Sequence, residues 1–190
     1  MRLFISINLL PELYDYCRQL QKRFPGMKNV DEFHLTIQFL GDGIHEQFLP
    51  RITEALRSID FHPFEIKLGA PRRFSNEDRP NGVWIDCDGG DALRDLADRI
   101  RKIMDKIGFR PDKPFAAHIT LGRYKVLPYL LDSRLRGNDK GGEDDRKRGG
   151  RPQPAPKTEA KAFKVDHFYL MESRLAPEGP TYKMIAEFSA

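Results

Sequence analysis

Short stretches of alternating apolar and polar residues are separated along this chain by stretches of helical period. Arg2-Leu3-Phe4-Ile5-Ser6-Ile7 alternates as a first strand, over about 2–8. Pro11-Glu12-Leu13 opens a helix with Leu13, Tyr16, Cys17 and Leu20 on one side, and Pro25-Gly26 stops it. A strand at about 33–39 ends at Gly41-Asp42-Gly43. A helix follows over Glu46–Ser58, then a strand over Phe64-Glu65-Ile66-Lys67-Leu68. The order then repeats. Gly82–Cys87 reads as a strand, Asp91–Ile107 as a long amphipathic helix closed by Gly108, and about 115–121 as another strand. Residues 163–170 and 182–188 complete the strands. Two copies of strand, helix, strand imply a duplicated α+β unit, expected as one bilobed domain over 1–190 with lobes from about 1–80 and 81–190.

The segment 131–158 breaks this pattern. It is rich in Gly, Pro and charge, holds no aromatic residue, and buries too little apolar surface to offset its ordering entropy, so a disordered insertion is expected. It also carries +3 of the chain's net +4, with eight Lys/Arg against five Asp/Glu. The rest of the chain is close to neutral, and the overall basicity is therefore weak support for a basic binding face.

Chemistry concentrates in the second strand of each repeat. His34-Leu35-Thr36 and His118-Ile119-Thr120 sit in apolar runs, and strand alternation puts each His and Thr on one face with Leu35, Ile37, Ile119 and Leu121 on the other. Side by side, two such strands offer two imidazoles and two hydroxyls, the acid, base and donors needed to cleave a phosphoester without a metal. Alone, either motif reads as a half-buried strand with a polar outer face; the repetition favours function. Arg123 follows the second motif and is a candidate phosphate ligand, provided Gly122 bends the strand, since alternation would turn it to the core. No HExxH or CxxC spacing appears, so no metal and no cofactor are expected. His45 and His62 read as surface or loop residues, and His167 lies in a late strand that could border the cleft. Cys17 and Cys87 are expected as free thiols in a reducing cytoplasm. No run is long enough to span a membrane, and a cytoplasmic monomer without membrane contact is expected.

These residues resemble the two-histidine phosphoesterases, and within them the RNA 2′,3′-cyclic phosphodiesterases, also called 2′-5′ RNA ligases. The likeness covers nearly everything outside 131–158, including 2–7, 33–42, Val83-Trp84-Ile85, Gly108-Phe109, 114–123, Ser173 and Tyr182. It implies two antiparallel sheets facing a central cleft with helices outside. It also implies hydrolysis of RNA or nucleotide 2′,3′-cyclic phosphates to 2′-phosphates. His34 would be the proton donor and His118 the proton acceptor, with Thr36, Thr120 and Arg123 binding substrate. Joining ends through a 2′-5′ linkage would be a side activity of the same site. Two positions depart from the family pattern: Met27 stands where an aromatic residue is common, and Ala117 where Pro is. The alternative is a non-catalytic nucleotide- or RNA-binding module on the same fold, for which matched His and Thr pairs would serve no purpose.

Overall fold

The computed structural model describes residues 1–74, 82–124, 161–176 and 179–190; the expected insertion at 131–158 lies outside them. The strands are β1 (Leu3–Asn8), β2 (Lys28–Asn29), β3 (His34–Gly41), β4 (Phe64–Phe74), β5 (Gly82–Asp88), β6 (His118–Arg123), β7 (Ala162–Val165), β8 (His167–Ala176) and β9 (Gly179–Ser189). The α-helices are α1 (Tyr14–Gln21), α2 (Leu49–Arg57) and α3 (Gly90–Lys106). Single 3-10 turns at Pro11–Leu13 and Glu46–Phe48 precede α1 and α2.

All strand pairs are antiparallel, and the described strands form one curled nine-stranded sheet in the order β7-β4-β5-β6-β3-β1-β8-β9, with β2 paired to β6. The two sheets implied for the two lobes are thus fused. They meet where β3 and β6 share the single register pair Leu35↔Ile119. That is the one register pair between the two motif strands among the described residues. The chain also crosses between halves at Asp166, which alone separates β7 on one outer edge from β8 beside β1.

Strands from the two sequence repeats interleave in the sheet. β4, from the first repeat, pairs with β5 and β7, while β8 and β9, from the second, extend β1. The repeats exchange outer strands because each motif strand is flanked on one side only by its own repeat's first strand. Helices are exchanged as well: α3 packs on β3 and β4, and α1 packs on β6. Leu93, Leu96, Ala97, Ile100 and Met104 form the buried face of α3, each at most 2% exposed, and meet the apolar side of β3. Gly108 ends this helix with φ +96°, a left-handed conformation that other residues resist. Leu35, Ile37, Ile119 and Leu121 are all buried, as the alternation requires, while the His and Thr of both motifs are half-buried on the other face.

Candidate active site

Extending the register of Leu35↔Ile119 places His34 across from Thr120 and Thr36 across from His118. Each histidine therefore faces the other motif's threonine. The strands share a second device. Ile5 pairs with Gln38 but Ser6 with Thr36, so Ile37 is an extra residue in β3. Val83 pairs with Gly122 but Trp84 with Thr120, so Leu121 is an extra residue in β6. Both bulges fall one residue after the threonine and reset the alternation.

That bulge decides where Arg123 points. Sequence alternation alone would send it to the core, with a bend at Gly122 as the remedy. Instead the extra residue Leu121 returns Arg123 to the His/Thr face, where it is exposed. Its charge reaches Tyr182, whose ring stands edge-on to His34 at 4.9 Å. Gly122 serves another purpose: a Cβ there would lie 2.5 Å from the Lys28 carbonyl oxygen and 2.7 Å from Met27 Sδ. Glycine is required so that β2 can approach β6. Met27 is buried beneath this contact and offers no stacking surface in the cleft.

The two histidines have different neighbours. His34 is enclosed by Phe4, with ring centroids 5.1 Å apart, and by Tyr182. Burial, with a smaller effect of His118's charge, lowers its pKa to about 4, so its surroundings hold it neutral near pH 7. His118 Nδ1 lies 2.8 Å from the Ala116 carbonyl oxygen. A carbonyl can only accept, so this nitrogen carries the proton and the neutral ring presents a lone pair at Nε2. Trp84 lies tilted beside His118 at 4.9 Å. Asp86, opposite His118 in register, is held by Arg72 Nε at 2.7 Å.

Tyr182 keeps its phenolic proton: burial first, then the charge of Glu32, raises its pKa against the opposing pull of Arg123 and Arg2. In the sequence it stands out only as a position of family likeness. Phe4 and Trp84 are within reach of the alternation argument, since each falls on the polar face of its strand. Tyr182 is not, because only the nonlocal pairing of β1 with β8 and β8 with β9 brings it to His34.

The other histidines stand apart from this arrangement. His45 and His62 are exposed. His167 Nδ1 lies 2.7 Å from Asp166 Oδ1, and its Nε2 3.7 Å from Glu187 Oε1. Among the described residues no group of three or more His, Cys, Asp or Glu converges as a metal site. Cys17 and Cys87 are free and buried, and burial pushes both thiols up to about 12. No helix among the described residues is long and apolar enough to cross a membrane.

Comparison with known proteins shows the family and the fold. The family model of the 2′-5′ RNA ligase superfamily matches residues 7–140. The RNA 2′,3′-cyclic phosphodiesterase of Archaeoglobus fulgidus is 31% identical over 195 residues, covering 99% of both chains. That of Aeropyrum pernix is 32% identical over 171 residues, covering 86% of each. In fold, the crystal structure of a Thermus thermophilus protein, TT0787, superposes with a TM-score of 0.72 at 27% identity, covering 100% of this chain and 97% of that one. E. coli LigT complexed with 3′-AMP gives 0.75 at 21% identity, covering 99% and 97%. With two matched His-x-Thr strands joined at the centre of its sheet, the chain belongs to the 2′-5′ RNA ligase superfamily.

Proposed function

We infer that the protein is a metal-independent RNA 2′,3′-cyclic phosphodiesterase, acting on RNA ends or small cyclic nucleotides and leaving a 2′-phosphate. The reading is carried by one observation: each histidine stands across the seam from the other motif's threonine, and the two imidazoles have unlike surroundings. A cyclic phosphate seated between them would receive the Thr36 and Thr120 hydroxyls and the Arg123 guanidinium on its non-bridging oxygens. His118 Nε2 takes a proton from water as the water oxygen bonds to phosphorus. His34 delivers a proton to O3′ as the P–O3′ bond breaks.

The fixed tautomer of His118 suits the acceptor role. His34 needs a proton that its protein neighbours do not favour, and the negative charge of the bound phosphodiester is what would restore it. The same steps, with a 5′-hydroxyl attacking phosphorus in place of water and O3′ leaving, would give a 2′-5′ linkage as a side activity. Two buried, unpaired thiols suit a reducing compartment, and we place the protein in the cytoplasm.

The test uses EDTA-treated protein and an RNA ending in a 2′,3′-cyclic phosphate, with His34→Ala and His118→Ala in parallel and the 2′- and 3′-phosphate products resolved. Turnover to the 2′-phosphate that disappears in both variants is the expected result. Binding without turnover by the folded wild-type protein would favour the non-catalytic module.

A further inference from the structure

The fold brings two cations together across a short antiparallel pair. Lys28 on β2 pairs in register with Arg123 on β6, and Gly82 of β5 lies on Arg123's other flank. Residues directly opposite in an antiparallel pair share a face with Cβ atoms about 4.5–5.5 Å apart, and like charges placed so are destabilising. Among the described residues neither side chain enters an ion pair. The nearby acids in sequence, Asp31 and Glu32, form no ion pair with either among the described residues, although Glu32 and Arg123 both act on Tyr182.

The contact is also enforced by the backbone. Gln21 Nε2 donates to the carbonyl oxygens of both Val30 and Leu121, at 2.8 Å each, clamping the β2 segment to β6. Val30 N–H adds a 3.1 Å bond to the Leu121 carbonyl. Gly122 leaves the space that lets Lys28 approach. A backbone this tightly held, with two cations juxtaposed on the His/Thr face and no ion pair to either among the described residues, suits a site for more than one negative charge. A free cyclic nucleotide carries a single phosphate, for which Thr36, Thr120 and Arg123 suffice. Lys28 is left over.

We propose that Lys28 binds the internucleotide phosphate adjoining the cyclic end, which makes the preferred substrate an RNA chain and not a free cyclic nucleotide. This rests on the phosphodiesterase reading above. Arg123 serves the terminal phosphate, Lys28 the next one along the strand, and neutralising both offsets the repulsion that the pair costs the empty fold. The contact is electrostatic and independent of base identity.

The test compares kcat/KM for cytidine 2′,3′-cyclic phosphate with that for a tetranucleotide ending in the same group, at several salt concentrations. In the wild-type protein the tetranucleotide is preferred, and the preference shrinks as salt rises. Lys28→Ala lowers the tetranucleotide-to-mononucleotide ratio about fivefold, the scale of one exposed ion pair, and reduces the log–log salt slope by about one. Lys28→Arg restores the ratio, and Lys102→Ala on the outer face of α3 leaves it unchanged. An unchanged ratio in Lys28→Ala, or an equal loss on both substrates, overturns the proposal while leaving the hydrolase reading intact. Turnover of neither substrate by the wild-type protein overturns both.

Discussion

His34 and His118 hold matched positions in matched strands, each one residue before the joining pair and three before a bulge, yet their settings differ. His34 is lodged between two aromatic rings, and burial drives it toward the neutral form. His118 is tied by Nδ1 to a main-chain carbonyl, with Trp84 tilted beside its ring. The two motif strands supply imidazoles in equivalent positions, and their neighbours make them unequal. An acid–base pair needs one ring protonated while the other is neutral, and unlike neighbours favour that division of a proton between them.

The comparison breaks most sharply at the histidines themselves. His34→Ala and His118→Ala should each lower kcat/KM by about 10²–10⁴, measured by product analysis on a cyclic-phosphate-terminated RNA. Full activity in either variant would mean that the two positions do not share the chemistry.

Removing the ring beside His34 tests the source of the asymmetry. In Tyr182→Ala, water reaches the imidazole and its pKa should rise from about 4 toward the ordinary 6.5, by about one unit or more. NMR titration of both ring signals is decisive, since a larger movement at His118 than at His34 would place the cause elsewhere.

Stability gives a third reading of the same group. The unfolded chain binds a proton at His34 below about pH 6.5, and the folded protein only below about 4. The contribution is therefore present above 6.5 and lost as pH falls through 6.5 toward 4, about 1–2 kcal/mol after allowance for screening at a half-buried ring. His34→Gln should flatten chemical-denaturation midpoints across that window.

The smallest effect concerns the position four residues after each histidine. Gln38 is buried and donates to the Phe109 carbonyl at 2.7 Å, whereas Gly122 makes room for β2. Gly122→Ala should destabilise by about 1–2 kcal/mol through displaced backbone and lower Tm by about 2–6 °C in a calorimetric scan. An unchanged Tm would show that β2 yields freely.

The local elements were legible because the amphipathic period repeats: β1, α1, β3 and then β5, α3, β6 follow from where Leu, Ile and Phe fall. Other features were hidden for physical reasons. β2 is two exposed residues, Lys28 and Asn29, with no apolar period, and exists only because β6 pairs with it. The strand read over Phe64–Leu68 is longer than its alternation shows, since a bulge between Leu68 and Pro71 carries β4 on to Phe74. Proline is tolerated there because, among the described residues, β7 pairs only with Phe64–Lys67 and no strand pairs with the other edge of β4 at Pro71. The run 163–170 looks like one strand but changes partners at Asp166, from β4 to β1. Pairing across such separations leaves no periodic trace. The site divides the same way: the four motif residues show in the sequence, while the aromatic enclosure of His34 appears only once β9 is in place.

The placement of β1 has a consequence for how the molecule is made. Residues 3–6 pair on one side with β3 and on the other with residues 169–172. On the ribosome, β1 and its motif strand emerge early and wait for most of the chain before their second neighbour arrives. Until then a hydrophobic strand edge is exposed, and the enclosure that tunes His34 has no second wall. Folding that depends on contacts so distant in sequence is slow and open to misassembly. Acid–base competence should therefore be the last property the nascent protein acquires, arriving with the closing hairpin and not with the histidines.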